Sequence, residues 1–303
     1  MNKSILMFFT LCLPLIAHAD PLPMEIAAAG IYVHHGEHLD INIDYGGDIC
    51  NVGFIIGNKG VAVIDTGGSP RIGARLREAI RKVTDLPILY VINTHVHPDH
   101  VLGNAAFKDD HPTFVGHENL ADAMALRKDA YLRNQPVWVG ADAAGSEVIS
   151  PTLAIKGTQT IDLGGRSLQL TAHPIAHTNN DLTIFDTTTA TLWTGDLLFI
   201  ERTPSFDGDL KGWLKVIVQL RGIPAVRAIP GHGPVTKDWQ AALDNENRYL
   251  STLFEDVRAA IKQGKSMEQA IEDAGGSEHG KWVLFDIINR RNVGLVFPLL
   301  EWE

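Results

Sequence analysis

Three histidines and an aspartate fall within six positions of the segment VINTHVHPDH, residues 91–100: His95, His97, Asp99 and His100. Imidazole nitrogen and carboxylate oxygen are donors that zinc accepts, and iron and manganese take them as well. With 13 histidines in 303 residues, three so close together are hard to assign to chance. Residues i and i+2 of a strand face the same way, so His95 and His97 are expected to aim at one point as an apolar run ends. Pro98, which has no N–H to give, should end the strand pairing. Asp99 and His100 then fall in the following turn, offset from the first pair. Four ligands from six residues rarely wrap one tetrahedral ion, so the spacing favours two adjacent ions.

Further donors follow apolar runs later in the chain. AHTNNDL offers His177, LWTGDLLF offers Asp196 and IPGHGP offers His232, which brings the set to five imidazoles and two carboxylates. Asp65, in VIDTGG, reads either as a turn carboxylate or as a support for the site. His34, His35 and His38 form a second cluster, but the neighbouring sequence gives them no partners for a metal. They are expected on a surface hairpin spanning residues 34–50. Cys50 reads as a packed residue, His173 as a polar strand-end residue, and Trp213 and Trp239 as core or pocket wall.

The elements that must position these residues are short. Runs such as IYV (31–33), VGFII (52–56), VAVID (61–65) and ILYVI (88–92) read as strands. Between the last two, Ser69 and Pro70 mark a helix start, and Ile72, Leu76, Ile80 and Val83 recur at the spacing of one buried face. A second helix is expected over residues 117–131. Strands resume with TIDL, SLQLTA, LTIF and TLWT. The last third turns helical, through LKGWLKVIVQL, a long helix from Asp238 to Gln263 and two shorter ones. Two sheets with helices on their outer faces are expected, in a single domain over residues 20–303. The reactive residues should sit where strands end, a common layout for an enzyme.

Residues 1–19 read as a signal peptide: Lys3, an apolar stretch and AHA before Asp20. The apolar run of about 13 residues is short of the roughly 20 that a spanning helix needs. The expectation is a periplasmic protein that keeps no membrane anchor. The formal net charge of −10 becomes one unit more negative once Lys3 is removed. Nucleic acid and anionic lipid both demand a basic footprint, so neither is an expected partner and a small-molecule substrate is. Of the two cysteines only Cys50 lies beyond the leader, which excludes an intramolecular disulfide.

THVHPDH with the later AHT, TGDLLF and PGHGP resembles the metallo-β-lactamase superfamily over nearly the whole chain after the leader. RTPSFDGDLKGWL and the ending RRNVGLVFPLLEWE resemble, more narrowly, the exported quinoprotein relay system zinc metallohydrolases, a group related to a hydrolase encoded with bacterial sulfur-oxidation systems. The resemblance implies a four-layer αββα sandwich. It implies that His95, His97 and His177 hold one metal, that Asp99, His100 and His232 hold a second, and that Asp196 bridges them. Two divalent ions are implied, zinc first, with iron or manganese as alternatives. A hydroxide between the ions would attack an ester, thioester or related acyl bond, with Asp99 orienting it as the catalytic residue. Asp65 and Asp181 would support the ligands from behind, and the 34–50 segment would cover the site mouth. A link to a periplasmic quinoprotein or sulfur-oxidation system is implied as well. The alternatives are a metallo-β-lactamase, an iron-dependent sulfur or persulfide dioxygenase, and an exported binding protein that kept the fold without the chemistry.

Overall fold

The structure, a computed structural model, describes residues 19–42 and 45–302. The leader reading lies almost wholly outside the described residues. Short apolar runs, buried on both faces in the inner strands, form two sheets. The first has seven strands in sequence order: β1 (Glu25–Ala28), β2 (Ile31–His34), β3 (Val52–Ile56), β4 (Val61–Ile64), β5 (Ile88–Ile92), β6 (Thr113–His117) and β7 (Leu153–Ile155). Pairing is antiparallel from β1 to β4 and parallel from β4 to β7. The second sheet runs in the order β12-β11-β10-β9-β8. Its strands are β8 (Thr158–Asp162), β9 (Ser167–Ala172), β10 (Leu182–Asp186), β11 (Thr191–Phe199) and β12 (Arg227–His232), and only β11 and β12 are parallel.

The sheets meet face to face through Ile31, Ile64 and Ile92 of one and Leu170, Ile184 and Trp193 of the other, all buried. Burying each such side chain contributes about 1.5–3 kcal/mol. On the outer face of the first sheet, Phe54 and Val63 pack against helix α1 (Pro70–Val83). Ser69 Oγ accepts from Ile72 N at 3.2 Å and Pro70 opens the helix. Ile72, Leu76 and Ile80 are buried as the spacing predicts, but Val83, in the last turn, is 40% exposed. Helix α2 (Pro98–Val101) is a single turn, and α3 (Leu120–Val139) covers the loops at one end. Beyond the second sheet lie α4 (Leu210–Leu220), α5 (Trp239–Lys262), α6 (Met267–Asp273) and α7 (Phe285–Glu301). The result is the four-layer αββα sandwich.

Two expectations are corrected. The helix expected over 117–131 begins at Leu120, because His117 still pairs with Ile155 as the end of β6. It also runs through Pro136 to Val139, held by Gln135 Nε2 donating to Gly68 O and Tyr131 Oη donating to Val96 O. The described residues of 34–50 form no hairpin: β2 ends at His34, and Tyr45 and Ile49 turn inward to pack on Val139. No helix among the described residues is long and apolar enough to cross a membrane.

Candidate metal centre

The seven expected donors converge at one edge of the two sheets. His95 and His97 lie in the bend after β5, Asp99 and His100 in α2, His177 in the loop after β9, and His232 at the end of β12. Asp196 departs from the expected strand-end placement. It is inside β11, just after Gly195, where the pairing with β12 shifts register. Gly195 has φ 52°, and a Cβ there would press on Thr94. A Cβ on Gly231 would overlap Asp196 Oδ1. Two glycines thus make the space in which a carboxylate can stand between the sheets.

Each imidazole is oriented by the nitrogen that faces away from the centre. His177 Nδ1 donates to Ser205 O at 2.8 Å and His232 Nδ1 to Ile49 O at 2.7 Å. Asp65, immediately after β4, accepts from Thr94 N and Thr94 Oγ1, and its Oδ2 receives His100 Nδ1 at 2.8 Å. It is therefore more than a turn carboxylate. The Thr94 hydroxyl gives its only proton to Asp65, so at 3.0 Å it accepts from His95 Nδ1. His97 is turned the other way, with Nε2 against Asp207 Oδ2 at 2.9 Å. Asp181 touches no ligand nitrogen. Its carboxylate accepts from Thr178 N and Oγ1 and so closes the turn that carries His177. Burial pushes the Asp181 pKa up to about 7.

The nitrogens of His95, His97 and His177 left facing inward present lone pairs to one another with no proton donor between them. His95 Nε2 and His177 Nε2 each lie 3.0 Å from His97 Nδ1, and Asp196 Oδ2 is 3.7 and 3.4 Å from the first two. The donor atoms of these four residues all fall within 4.8 Å of one another. His100, Asp196 and His232 form a second such group, with His100 Nε2 3.2 Å from Asp196 Oδ1 and His232 Nε2 3.4 Å from Asp196 Oδ2. Asp99 flanks it, its Oδ2 3.5 Å from both His100 Nε2 and His232 Nε2. His100 Nε2 and Asp196 Oδ1 are buried without a hydrogen-bond partner. Facing lone pairs and orphaned polar atoms are costly unless a cation sits between them, and the donor set fits zinc.

Electrostatics agree with that reading. Burial holds the His95 pKa well below the ordinary histidine value and that of His177 down to about 3, so both stay neutral. Burial works against the charge of Asp196, but His232, His100 and His95 outweigh it and hold its carboxyl well below the usual range. At His100 burial is again opposed, here by Asp196, Asp99 and Asp65, and its pKa is raised well above normal. The carboxylates draw positive charge to this point.

Several neighbours were not legible as site residues. Asp207 bonds His97 and is itself held by Arg127 Nη2 at 3.0 Å. It lies within the RTPSFDGDLKGWL segment, but nothing in its spacing ties it to a residue 110 positions earlier. Cys50 is packed as expected, yet not remote: its Sγ donates to Asp99 O at 2.9 Å, and its donor atom lies within 4.8 Å of those of Asp99 and His100. Burial, then Asp99, push its thiol pKa well up. The second histidine cluster stays outside both donor groups, with His34 on Asp48, His35 on Glu25 and His38 on Glu201. His173 meets Thr183 Oγ1 at 2.8 Å, and Trp213 and Trp239 are both core.

A cleft of about 250 Å³ opens beside the donors, walled by His97, Asp99, Asp196 and His232, with Arg202 and Arg291 also lining it. Ile41 and Ile49 of the 34–50 segment line it too, so the segment does reach the mouth although it is no hairpin.

The sequence model of the metallo-beta-lactamase superfamily matches residues 45–232. No curated protein matches the chain. Among solved structures, a double mutant of the sec-alkyl sulfatase PisA1, a protein of Pseudomonas sp., is similar with a TM-score of 0.69 at 15% identity, over 90% of this chain and 49% of that one. The chain thus spans about half the length of the sulfatase. A metallo-beta-lactamase from Pontibacter korlensis gives a TM-score of 0.61 at 20% identity, over 76% of this chain and 99% of that one. The metallo-beta-lactamase DIM-1, in a crystal exposed to ceftazidime, gives 0.59 at 18% identity, over 77% and 98%. At such identities the likeness is one of fold.

Proposed function

Because the chain belongs to the metallo-β-lactamase superfamily, we propose that it is a dinuclear metal-dependent hydrolase that cleaves an ester, thioester or related acyl bond. The observation that supports this most is Asp196, which belongs to both donor groups, with Oδ2 toward His177 and Oδ1 toward His100. In this reading His95, His97 and His177 hold one ion, Asp99, His100 and His232 hold the other, and Asp196 is shared. Bound there, two divalent ions, zinc first, would supply an activated water at neutral pH and polarise the scissile carbonyl. Asp99, on the cleft wall between His100 and His232, orients the attacking water and receives its proton. His232 is fixed by Ile49 O and His100 by Asp65, so neither has to reorganise during the reaction. Cys50, bonded to a carbonyl and held as a thiol, is not the nucleophile.

The choice of acyl bond over lactam follows from the same carboxylate. Asp99 and Asp196 together leave less positive charge to steady a departing amide nitrogen, which is a poor leaving anion. Alkoxide and thiolate leave more readily. Each factor of ten in rate is about 1.4 kcal/mol of barrier, so a lactam is expected to fall about 100-fold or more behind. The expected result is a kcat/KM for nitrocefin and a carbapenem at least that far below those for aryl esters and thioesters. Efficient lactam turnover with negligible ester or thioester cleavage would overturn it. The likeness to a sec-alkyl sulfatase over 90% of this chain puts sulfate esters in the same panel as a second reading. One iron per chain, with oxygen uptake on persulfide, would favour the dioxygenase.

The reading includes export to the periplasm with removal of residues 1–19, supported by AHA before Asp20. A small-molecule substrate is part of it, and so is a link to a periplasmic quinoprotein or sulfur-oxidation system. N-terminal sequencing of the exported form should begin at Asp20. A mature protein that keeps Met1 would contradict it.

A further inference from the structure

Helix α7 buries one face in the core through Val293, Val296 and Phe297, yet it is also apolar along the flank beside that face. Leu295 is 42% exposed, Leu299 54%, and Trp302, directly after the helix, 87%. These positions lie four and then three residues apart, so they form one stripe. Helix α5, 24 residues long in the same layer, exposes no large apolar side chain. A single exposed leucine is ordinary, but a row of large apolar groups that ends in a bare indole marks a contact surface.

The stripe starts in the cleft. Leu295 lines it together with Ile41, Ile49 and Phe206, so apolar wall extends from beside the donors to the helix. Two ties hold the helix there. Asn292 Nδ2 donates to Pro204 O at 2.7 Å, and its Oδ1 accepts from Phe206 N at 3.0 Å. Arg291, one turn before Leu295, closes on Asp40 through bonds of 3.1 and 3.0 Å, so its charge is paired. From Leu295 to Trp302 the helix advances about 10 Å. Cleft wall and stripe thus make one continuous apolar track, narrow and long. A stable protein partner needs roughly 800 Å² on each side, far more than three side chains supply, whereas a hydrocarbon chain needs only such a row. Helix α7 lies outside residues 45–232, the stretch matched by the superfamily model, so the outer part of the track is not among what that model describes.

We propose that this track receives a long unbranched hydrocarbon chain of the substrate, laid from the donors along Leu295, Leu299 and Trp302, so that the substrate class is long-chain esters and thioesters. The bond cleaved rests on the hydrolase reading above; the chain site is read by binding alone. Calorimetric titration of the zinc-loaded protein with decanoate and with butyrate, which share a head group and differ only in chain length, provides the test. With the extra methylenes half covered by the track, decanoate should bind about 30-fold or more tightly than butyrate. Leu299→Gln combined with Trp302→Gln should bring the two acids within about threefold of each other. Both side chains are exposed, so the double variant should fold, and the wild-type comparison decides by itself whether the longer chain is preferred. Val218→Gln, at an exposed apolar position of α4 that does not line the cleft, should leave the preference as it is. Wild-type protein that binds both acids equally would overturn the proposal, as would a preference that the double variant leaves intact or that Val218→Gln abolishes as well. Sedimentation velocity without ligand, and flotation with phosphatidylcholine vesicles, read the other occupants. A dimer, or vesicle binding, that the double variant removes would give the stripe to a second copy or to a membrane and overturn the proposal. Hydrolysis of phenyl decanoate, decyl acetate and phenyl butyrate is measured alongside. A decanoate preference with none of the esters cleaved would keep the chain site and remove the hydrolase reading. Cleavage of the esters without a binding preference would do the reverse.

Discussion

Replacing Asp196 by alanine should reduce metal content from two ions to at most one per chain and lower kcat/KM at least about 1000-fold, which is about 4 kcal/mol of barrier. Its Oδ2 stands 3.7 Å from His95 Nε2 and 3.4 Å from both His177 Nε2 and His232 Nε2, while Oδ1 is 3.2 Å from His100 Nε2. Among the described residues no other side chain serves both donor groups. His232→Ala should by contrast spare the first group and lose only the second ion. Asn at position 196 keeps the shape without the charge and should fall between wild type and alanine. Elemental analysis of protein loaded with excess zinc, beside turnover on one ester, measures both effects. The fold should survive, because a buried charge is removed rather than introduced. Two ions retained with turnover within tenfold of wild type would show that Asp196 is not shared.

Trp213→Ala is expected to destabilise the protein by about 3–5 kcal/mol, the usual cost of deleting a large buried aromatic side chain. Trp213 is fully buried at the centre of the cluster joining the second sheet to α4, α5 and α7. Its ring lies edge-on to His177 at 5.1 Å between centroids and tilted against Phe199 at 6.1 Å. Phe199 in turn stacks on His232 at 5.0 Å. The cavity should therefore loosen one ligand of each donor group as well as the core. Urea unfolding of the chelated protein isolates the packing loss, and zinc affinity from chelator competition reads the loosening. A loss below about 1 kcal/mol would mean that the helical layer closes over the gap. Trp213→Phe, which retains most of the contact, should cost less than half as much.

The donors were legible because their types are rare and each follows an apolar run. His95, His97, His177 and His232 need no tertiary knowledge to be noticed, and the runs before them are strands in the structure. Placement within a strand was less legible. Asp196 follows an apolar stretch just as His232 does, but β11 continues past it, because Gly195 absorbs the register shift without ending the pairing. The 34–50 segment misled because its histidines and glycines suit a hairpin, whereas Tyr45 and Ile49 gain more by turning inward against Val139. Helix α3 outran its expected end because Gln135 and Tyr131 bond to the loops at Gly68 and Val96, which local spacing cannot foresee. Asp207 was invisible for the same reason. Its meaning lies in a contact with His97, 110 positions away.

The division of donors between the sheets also imposes an order on how the molecule can be assembled. His95, His97, Asp99 and His100 follow β5 of the first sheet, whereas His177, Asp196 and His232 belong to the second. The last of them becomes available only when β12 docks parallel to β11, a non-local pairing of the kind that forms slowly. A nascent chain can therefore build its first sheet and still lack a complete donor group, since even the first group needs His177 and Asp196. A metal taken up by these donors would be captured at the end of folding, and an ion held between the two halves would act as a clasp, resisting their separation during unfolding.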